Sequence, residues 1–236
     1  MTTLELPVPV VPASRPARAP SRPTSTGPAS GCAAGSPVRL PVPGRTLVLV
    51  AGMPGAGKST LLAGLPRHVG MVVLDSDEHR VALARRFPRL PYRRYRALVH
   101  LRHRLAIVRA AFSGEPTVVV HLPATSAVLR AAVALLGALT GRTAHLLWLH
   151  VDAAEALRGQ RERGRLVPSG SFAGHVRRAG AATTALRGGR AAGWRTVTVV
   201  DRATARAGLV LDPCAVPQPP GSPAVEASRL GRRGVA

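Results

Sequence analysis

The 236-residue chain is long enough for one α/β domain with tails, and its formal net charge of +22 would suit a polyanionic partner such as nucleic acid. Because Lys58 is the only lysine among arginines spread along the whole chain, the charge indicates a compositional bias at least as well as it indicates a polyanion. The chain has no run of 18 apolar residues, no secretory leader and only two cysteines, which excludes membrane-spanning, exported and disulfide-rich classes and predicts a cytoplasmic protein.

The two ends of the chain have a composition typical of disordered segments. Residues 1–44 are dense in Pro, Ser, Thr and Ala without an apolar period, and the same composition returns over residues 213–236. We therefore expect a disordered tail on each side of a single domain that spans residues 45–212.

Within that domain, short apolar runs alternate with segments of helical period. The runs have the length and the Val- and Leu-rich composition of strands buried on both faces: Thr46–Val50, Met71–Leu74, Thr117–Val120, His145–Leu149 and Thr196–Val200. The helical period predicts helices at Lys58–Leu65, Tyr95–Phe112, Ala127–Leu139 and Ala153–Arg163. This alternation predicts an α/β fold with a five-stranded parallel sheet, and ligands of such sheets bind beyond the carboxyl ends of the strands.

A P-loop (Walker A) pattern follows the first strand and opens the first helix, which is the context that the motif requires. Its glycines let backbone N–H groups converge on phosphates without a Cβ in the way. We predict that it binds ATP, with Lys58 reaching the β and γ phosphates and Ser59 ligating Mg²⁺. The candidate nucleotide-binding residues are Gly52, Gly55, Ala56, Gly57, Lys58, Ser59 and Thr60.

Two carboxylates, Asp75 and Asp77, follow the second strand where the chain leaves the sheet. Phosphoryl transfer needs an acid to support the metal ion and another to position or deprotonate the acceptor hydroxyl. Asp75 suits the first role and Asp77 the second. The alternative is that the pair only caps the following helix, whose first turn favours acidic residues.

These motifs together resemble the P-loop kinase group, which includes shikimate, gluconate, polynucleotide and zeta-toxin-like kinases. Gly-x-Pro-Gly-x-Gly-Lys-Ser-Thr, Leu-Asp-Ser-Asp-x-x-Arg and a later Arg-Gly-Arg are also similar to bacterial ATP-binding proteins described as AAA-family ATPases. The resemblance runs from Arg45 to about Arg202. It implies a three-layer α/β/α P-loop NTPase fold with a helical lid, ATP and Mg²⁺ as cofactors, and contact of Asp77 and Arg80 with the acceptor.

The third strand departs from that pattern, because His121 follows it where such kinases often carry an acid. A neutral imidazole cannot replace a carboxylate around Mg²⁺, so metal support would fall on Ser59 and Asp75. His121 is predicted either to bond a phosphate or the acceptor, or to be a satisfied polar residue at a strand end.

Ten arginines lie from Arg80 to Arg109, and this segment contains no acid; Glu78 lies two residues before it. This segment either clamps an anionic acceptor, such as a phosphorylated small molecule or an RNA end, or forms a solvated arginine face. On the second interpretation, one apolar stripe of the Tyr95–Phe112 helix packs on the sheet: Leu98, Leu101, Leu105 and Val108.

A second arginine-rich stretch follows the fourth strand and the next helix. Arg163 and Arg165 flank Gly164 there and resemble the lid of the family, which implies that one of them closes over the γ-phosphate. The alternative is that both are ordinary surface arginines.

Three functions stay open at this point. The first is an ATP-dependent phosphotransferase or ATPase that transfers the γ-phosphate to a small-molecule or RNA-end hydroxyl. The second is a nucleotide-dependent binding module or switch with little or no catalysis, which the histidine at position 121 favours. The third is a basic RNA-binding protein that uses ATP only structurally.

Overall fold

The computed structural model describes residues 36–164 and 166–213, and its fold is α/β as predicted. The bounds of the predicted strands agree with the structure to within two residues. In chain order the elements are β1 (Val38–Pro41), β2 (Thr46–Gly52), α1 (Lys58–Ala63), β3 (Met71–Leu74), α2 (Ser76–Arg86), α3 (Tyr92–Phe112), β4 (Thr117–His121), α4 (Ala127–Leu139), β5 (Thr143–Leu149), α5 (Ala153–Glu162), α6 (Ser169–Arg187), β6 (Thr196–Val200), α7 (Arg202–Arg206) and β7 (Leu209–Asp212).

The main sheet has five strands in the order β3-β4-β2-β5-β6, and all of its neighbouring strands are parallel. All seven residues of the central strand β2 are buried, as expected for a strand covered on both faces. Val50 of β2 lies beside His121 of β4, and Gly52 lies beside Leu149 of β5. The carboxyl ends of the three middle strands therefore meet at one edge of the sheet.

Helices cover both faces of this sheet and give three layers. Trp148 of β5 donates a hydrogen bond to Thr183 of α6 at 2.9 Å, and Gly137 of α4 lies against the methyl group of Ala144 on the same face of β5. Right-handed crossovers place α3 on that face too, and place α1 on the opposite one.

A buried arginine, Arg142, ties the layers together at the other edge of the sheet. Its guanidinium donates to six backbone carbonyl oxygens at the end of α3 and the beginning of β4 and β2. Three of those carbonyls, in Ala110, Ser113 and Pro116, also accept from other groups, so Arg142 adds a charged donor to them and joins a helix to two strands.

The prediction of which apolar stripe packs α3 on the sheet was wrong. Leu98, Leu101, Leu105 and Val108 are 38–54% exposed, and the buried face consists of Tyr95, Val99, His103, Ile107 and Ala111. Both sets fit the helical period, so the period alone does not identify the inward one. Its small Ala111 permits close packing, and His103 Nε2 donates to the carbonyl oxygen of His121 at 3.0 Å.

The domain boundary predicted at residue 45 lies too late in the chain. Strand β1 precedes it and pairs in parallel with β7 as a second, two-stranded sheet. Val38, Leu40 and Val42 are buried there. The remaining tail predictions, over residues 1–35 and 214–236, fall outside the described residues. Among the helices that the structure describes, none has the length and apolar character needed to cross a membrane.

Candidate functional site

A cleft of about 220 Å³ lies beyond the carboxyl ends of β2, β3 and β4. Its walls come from the loop after β2, the beginning of α2, the end of β4 and the end of α5. Six residues predicted from the sequence line it together: Gly55, Gly57, Lys58, Ser59, Asp77 and Arg163. His121 also lines the cleft, whereas Asp75 and Arg80 are not among its lining residues.

Glycine is required where the loop after β2 meets α5. Gly55 has a φ of 89°, and a Cβ at this position would collide with the carbonyl oxygen of Ala156. A Cβ at Gly159 of α5 would in turn collide with the carbonyl oxygen of Gly55. The loop and α5 therefore meet backbone to backbone, and this contact fixes the loop against the helix that carries Arg163.

The remaining loop residues shape the same cradle. Gly57 is left-handed with a φ of 98° and is the N-cap of α1, and no atom lies within 4 Å of where its Cβ would be. Ala56 is fully buried and donates its N–H to the Met53 carbonyl oxygen at 3.1 Å. A Cβ at Gly52 would collide with the Leu149 carbonyl oxygen of β5.

Lys58 is buried at the bottom of the cleft. Its Nζ donates to the carbonyl oxygens of Gly52 and Met53, both at 2.9 Å. Burial, followed by repulsion from Arg163, lowers the pKa of Lys58 to about 7, although the Asp75 carboxylate acts in the opposite direction. An anion at this position would stabilise the ammonium form, so the site is suited to a phosphate.

Arg163 lies across the mouth of the loop, although α5 ends just before it. Its guanidinium donates to Ser59 Oγ at 3.1 Å and to Thr60 Oγ1 at 2.8 Å. These are the hydroxyl groups of the P-loop pattern, so a cationic group already contacts the predicted Mg²⁺ ligand. Arg165, the other predicted lid arginine, lies outside the described residues.

Asp75 and His121 form a close pair at the ends of neighbouring strands. Asp75 Oδ1 lies 2.8 Å from His121 Nδ1 and also accepts the N–H of Asp77 at 3.0 Å, which caps α2. Burial by itself would raise the pKa of Asp75, but the contact with His121 and the N–H of Asp77 outweigh it and lower the pKa to about 2. Asp75 thus caps α2, which was the alternative role considered for the two carboxylates, and contacts His121 as well.

Asp77 lies between the cleft and a second, shallower cavity on the other side of α2. Arg80 donates its Nε to Asp77 Oδ1 at 3.3 Å. Asp77, Arg80 and Arg85 line this second cavity, whose volume is about 420 Å³. The predicted acceptor residues Asp77 and Arg80 are therefore in contact with each other.

Gln160 is a cleft residue that the sequence analysis missed. It is buried, and its amide nitrogen donates to the Pro54 carbonyl oxygen at 3.1 Å while its oxygen accepts the Val167 N–H at 2.9 Å. Gln160 thus connects the loop after β2 with the segment after Arg163. No motif marks it, because its role depends on two partners distant in sequence.

The loop between β4 and α4 is a second feature that was missed. Ala124 has a φ of 41°, which is strained for a residue with a side chain. The buried Arg130 donates to the carbonyl oxygens of Ala124 and Thr125, at 2.8 and 3.1 Å, and lies over the Trp148 ring. Pro123 of the same loop accepts the N–H of Gly52 at 3.1 Å, so this strained loop supports the P-loop pattern from below.

A further cavity of about 170 Å³ adjoins the cleft across Gly57. It lies between α1 and α7, and Thr60, Leu61, Arg202 and Arg206 are among the residues that line it. Arg202 also donates to the Glu155 carbonyl oxygen at 2.9 Å and to Glu162 Oε2 at 3.3 Å. Arg202 therefore joins the lining of this cavity to residues near both ends of α5.

The donor atoms of the cleft fit Mg²⁺ delivered together with phosphates. Ser59 Oγ and the Asp77 carboxylate line the cleft, and both are oxygen donors of the kind that Mg²⁺ prefers. The described residues contain no group of three or more His, Cys, Asp or Glu side chains able to hold a metal ion alone. Water and phosphate oxygens would have to complete the coordination, which is the usual arrangement for this ion.

A protein-family model described as an AAA domain matches residues 47–186 of the chain. No curated protein matches it. Solved structures similar to it include a chain of the PezAT toxin–antitoxin system of Streptococcus pneumoniae (12% identity, TM-score 0.48, 71% of this chain and 70% of that one). A gluconokinase from Sinorhizobium meliloti is 19% identical over 71% of this chain and 90% of its own, with a TM-score of 0.42. A tunicamycin resistance protein from Deinococcus radiodurans is 16% identical over 72% of this chain and 99% of its own, with a TM-score of 0.40. The matched residues 47–186 include every residue that lines the cleft.

Proposed function

The chain belongs to this family of AAA domains, and on that premise we propose that it is an ATP-dependent phosphotransferase. It would transfer the γ-phosphate of ATP to a hydroxyl group of a small molecule or an RNA end. One observation carries the proposal: a buried lysine, a hydroxyl in the P-loop pattern and the Asp77 carboxylate line the same cleft, although they come from two different elements.

Each residue has a role that follows from its position. The loop from Gly52 to Thr60 cradles the phosphates, and Lys58 exchanges its two carbonyl acceptors for phosphate oxygens. Asp77 orients the acceptor hydroxyl and accepts its proton as the new bond forms. Arg163 moves from the hydroxyl groups of Ser59 and Thr60 to the transferring phosphoryl group, where it offsets negative charge. Arg165 is a second candidate for that role.

Mg²⁺ would be held by Ser59, and Asp75, which does not line the cleft, would support the water shell of the ion through Oδ2, since both contacts of Asp75 use Oδ1. When bound, the ion neutralises charge on the phosphates. Ser59 must release the Arg163 guanidinium before it can coordinate the ion, so binding of the metal–nucleotide complex and movement of Arg163 are coupled.

The nucleoside and the acceptor would occupy the two adjoining cavities. The cleft is smaller than the roughly 300 Å³ or more that a whole drug-sized ligand occupies, so it suits the phosphates alone. The cavity across Gly57 would take the nucleoside, with Arg202 or Arg206 against the base. The shallow cavity that shares Asp77 would take the acceptor. Asp77 and Glu78 balance the charges of Arg80 and Arg85 in its lining, so a neutral acceptor suits it as well as an anionic one.

The test follows the γ-phosphate of labelled ATP in the presence of fractionated metabolites and RNA. Label should move to a discrete acceptor in the parent protein and in Glu115→Gln, which replaces an acid before β4 that lines neither the cleft nor the two adjoining cavities. Lys58→Ala should bind nucleotide more weakly and lose transfer. Asp77→Asn should keep nucleotide binding and lose transfer by about 100-fold or more. Full transfer by Asp77→Asn would show that Asp77 does not orient or deprotonate the acceptor hydroxyl.

A nucleotide-dependent switch is the second candidate, and the contact between His121 and Asp75 favours it. This contact engages the carboxylate that is proposed to support Mg²⁺. If it restrains catalysis, His121→Asn should raise turnover while nucleotide affinity changes little. A chain that binds ATP, transfers no label in any fraction and gains turnover in His121→Asn would be a switch whose catalysis this contact restrains, and no gain would count against the switch.

A further inference from the structure

The helices α3 and α4 leave a broad apolar face uncovered on one side of the domain. On α3 it consists of Leu98, Leu101, Leu105 and Val108, which were expected to pack on the sheet, together with Phe112, which is 66% exposed. Val108 also lines a cavity that α3 shares with α4. On α4 it includes Leu135 and Leu139, which are 59% and 70% exposed. Isolated apolar side chains are common on surfaces, but a contiguous patch on two adjacent helices marks an interaction site.

The face is concave. A cavity of about 320 Å³ runs between the two helices, and its lining is almost entirely aliphatic. Ile107 and Leu122 lie at its bottom, where α3 and the chain after β4 meet, and Leu136 and Leu139 form one wall. Arg104 is the only charged residue of the lining. A groove of this shape accepts a convex row of side chains.

The charge around the groove has a single sign. Helix α3 carries six arginines and no acid, and α4 carries no acid either. Arg104 lines the groove, and Arg102 and Arg109 line a separate cavity of α3 together with the exposed Leu105. An occupant that keeps its apolar side chains in the groove would therefore gain most from acidic residues along its edges.

This charge argues against occupants supplied by the chain itself. A second copy docked through the same face would bring the arginines of two α3 helices together in a protein of net charge +22. Residues 1–35 contain Glu5 as their only acid, and residues 214–236 contain only Glu226. Neither segment has the acidic side chains that the groove favours.

From this shape and charge, we infer that the groove binds an acidic amphipathic helix of another protein. The apolar side chains of that helix, spaced at i, i+3, i+4 and i+7, would lie between α3 and α4, and its glutamates or aspartates would face the arginines of α3. From Leu98 to Phe112 the exposed face of α3 extends over about 21 Å, which corresponds to a partner helix of about four turns. This inference does not depend on the proposed transfer of phosphate.

The test uses the full chain and two labelled synthetic helical peptides of 18 residues, measured by fluorescence anisotropy. Both peptides present leucines at i, i+3, i+4 and i+7. One carries glutamates along the edges and the other carries lysines. The glutamate peptide should bind at least ten-fold more tightly than the lysine peptide, and its affinity should fall with added salt.

Two substitutions in the groove and one outside it locate the binding. Leu135→Glu should weaken the glutamate peptide at least ten-fold, whereas Val69→Glu, which changes a fully exposed valine outside the groove, should leave its affinity unchanged. Arg104→Glu should weaken the glutamate peptide and strengthen the lysine peptide. Because Leu135 and Arg104 are exposed, circular dichroism of both variants should match that of the parent protein.

Three results would overturn the inference. The first is equal binding of the two peptides, or binding that Leu135→Glu does not change. The second is a dimer in sedimentation experiments that Leu135→Glu dissociates, which would make the face a contact between copies. The third is binding to vesicles of anionic lipid that is lost in Leu135→Glu while neither peptide binds.

Discussion

The pH dependence of nucleotide binding tests the proposed role of Lys58 directly. Burial and then Arg163 lower the pKa of this lysine to about 7 in the free protein. A bound triphosphate places several negative charges at the ammonium group and must raise that pKa. Above pH 7 the free protein loses the proton and the complex keeps it. Binding therefore takes up a proton, and the affinity for ATP falls as pH rises.

The size of the effect follows from the two pKa values. If the pKa of Lys58 is about 7 in the free protein and well above 9 in the complex, the dissociation constant of ATP rises about 50-fold between pH 7 and pH 9. Below about pH 6 this contribution is flat, because Lys58 is protonated in both states. The terminal phosphate of ATP, with a pKa of about 6, is fully ionised over the informative range.

Calorimetry in two buffers of different ionisation enthalpy measures the protons taken up. At pH 8.5 the parent protein should take up close to one proton per ATP, and Lys58→Met should take up none and show no decline of affinity between pH 7 and pH 9. Equal proton uptake by the two proteins would refute the reasoning. So would a dissociation constant in the parent protein that does not change over this range.

Three further predictions follow from neighbouring contacts. Arg163→Gln should raise the pKa of Lys58, because the guanidinium is the second cause of its lowering, so the decline of ATP affinity should begin at a higher pH in the same calorimetry. Arg142→Met should lower the free energy of unfolding by about 3 kcal/mol or more in urea denaturation, since six backbone carbonyls lose a hydrogen bond from a charged donor; a loss below about 1 kcal/mol would contradict that role. Gly159→Ala should force α5 away from the loop and reduce transfer by about 100-fold. Gly180→Ala on α6 is the control, because no atom lies near its added methyl group, and it should keep full transfer. Equal activity of the two variants in the label-transfer assay would show that the backbone contact does not determine the rate of transfer.

The five strands of the main sheet were predictable from sequence because each one reads as a short apolar run, and the three middle strands are buried on both faces. The inward face of α3 was not predictable, since the helix has two apolar stripes and only the shape of the sheet selects Val99 and Ile107 over Leu101 and Leu105. Strand β1 was missed because its four residues lie in a Pro-rich segment, and it is stabilised by a partner at the far end of the domain.

The positions of the P-loop residues followed from the motif, but the contacts of Asp75 and Arg163 did not. The contact between Asp75 and His121 depends on β3 lying beside β4. The order of the strands in the sheet cannot be predicted from the sequence of either strand. Arg163 reaches Ser59 only because glycines allow α5 to meet the loop backbone to backbone. Such close approaches leave no periodic signal, and a glycine that permits one looks like any other glycine in the sequence.

The pairing of β1 with β7 has a consequence for folding during translation. Residue 38 is synthesised early and its partner, residue 209, is among the last of the domain to appear. The central sheet can assemble once β6 has emerged, but β1 has no partner until β7 leaves the exit tunnel. During most of translation Val38, Leu40 and Val42 are therefore uncovered, and we expect this early segment to be the part of the nascent chain most exposed to chaperones.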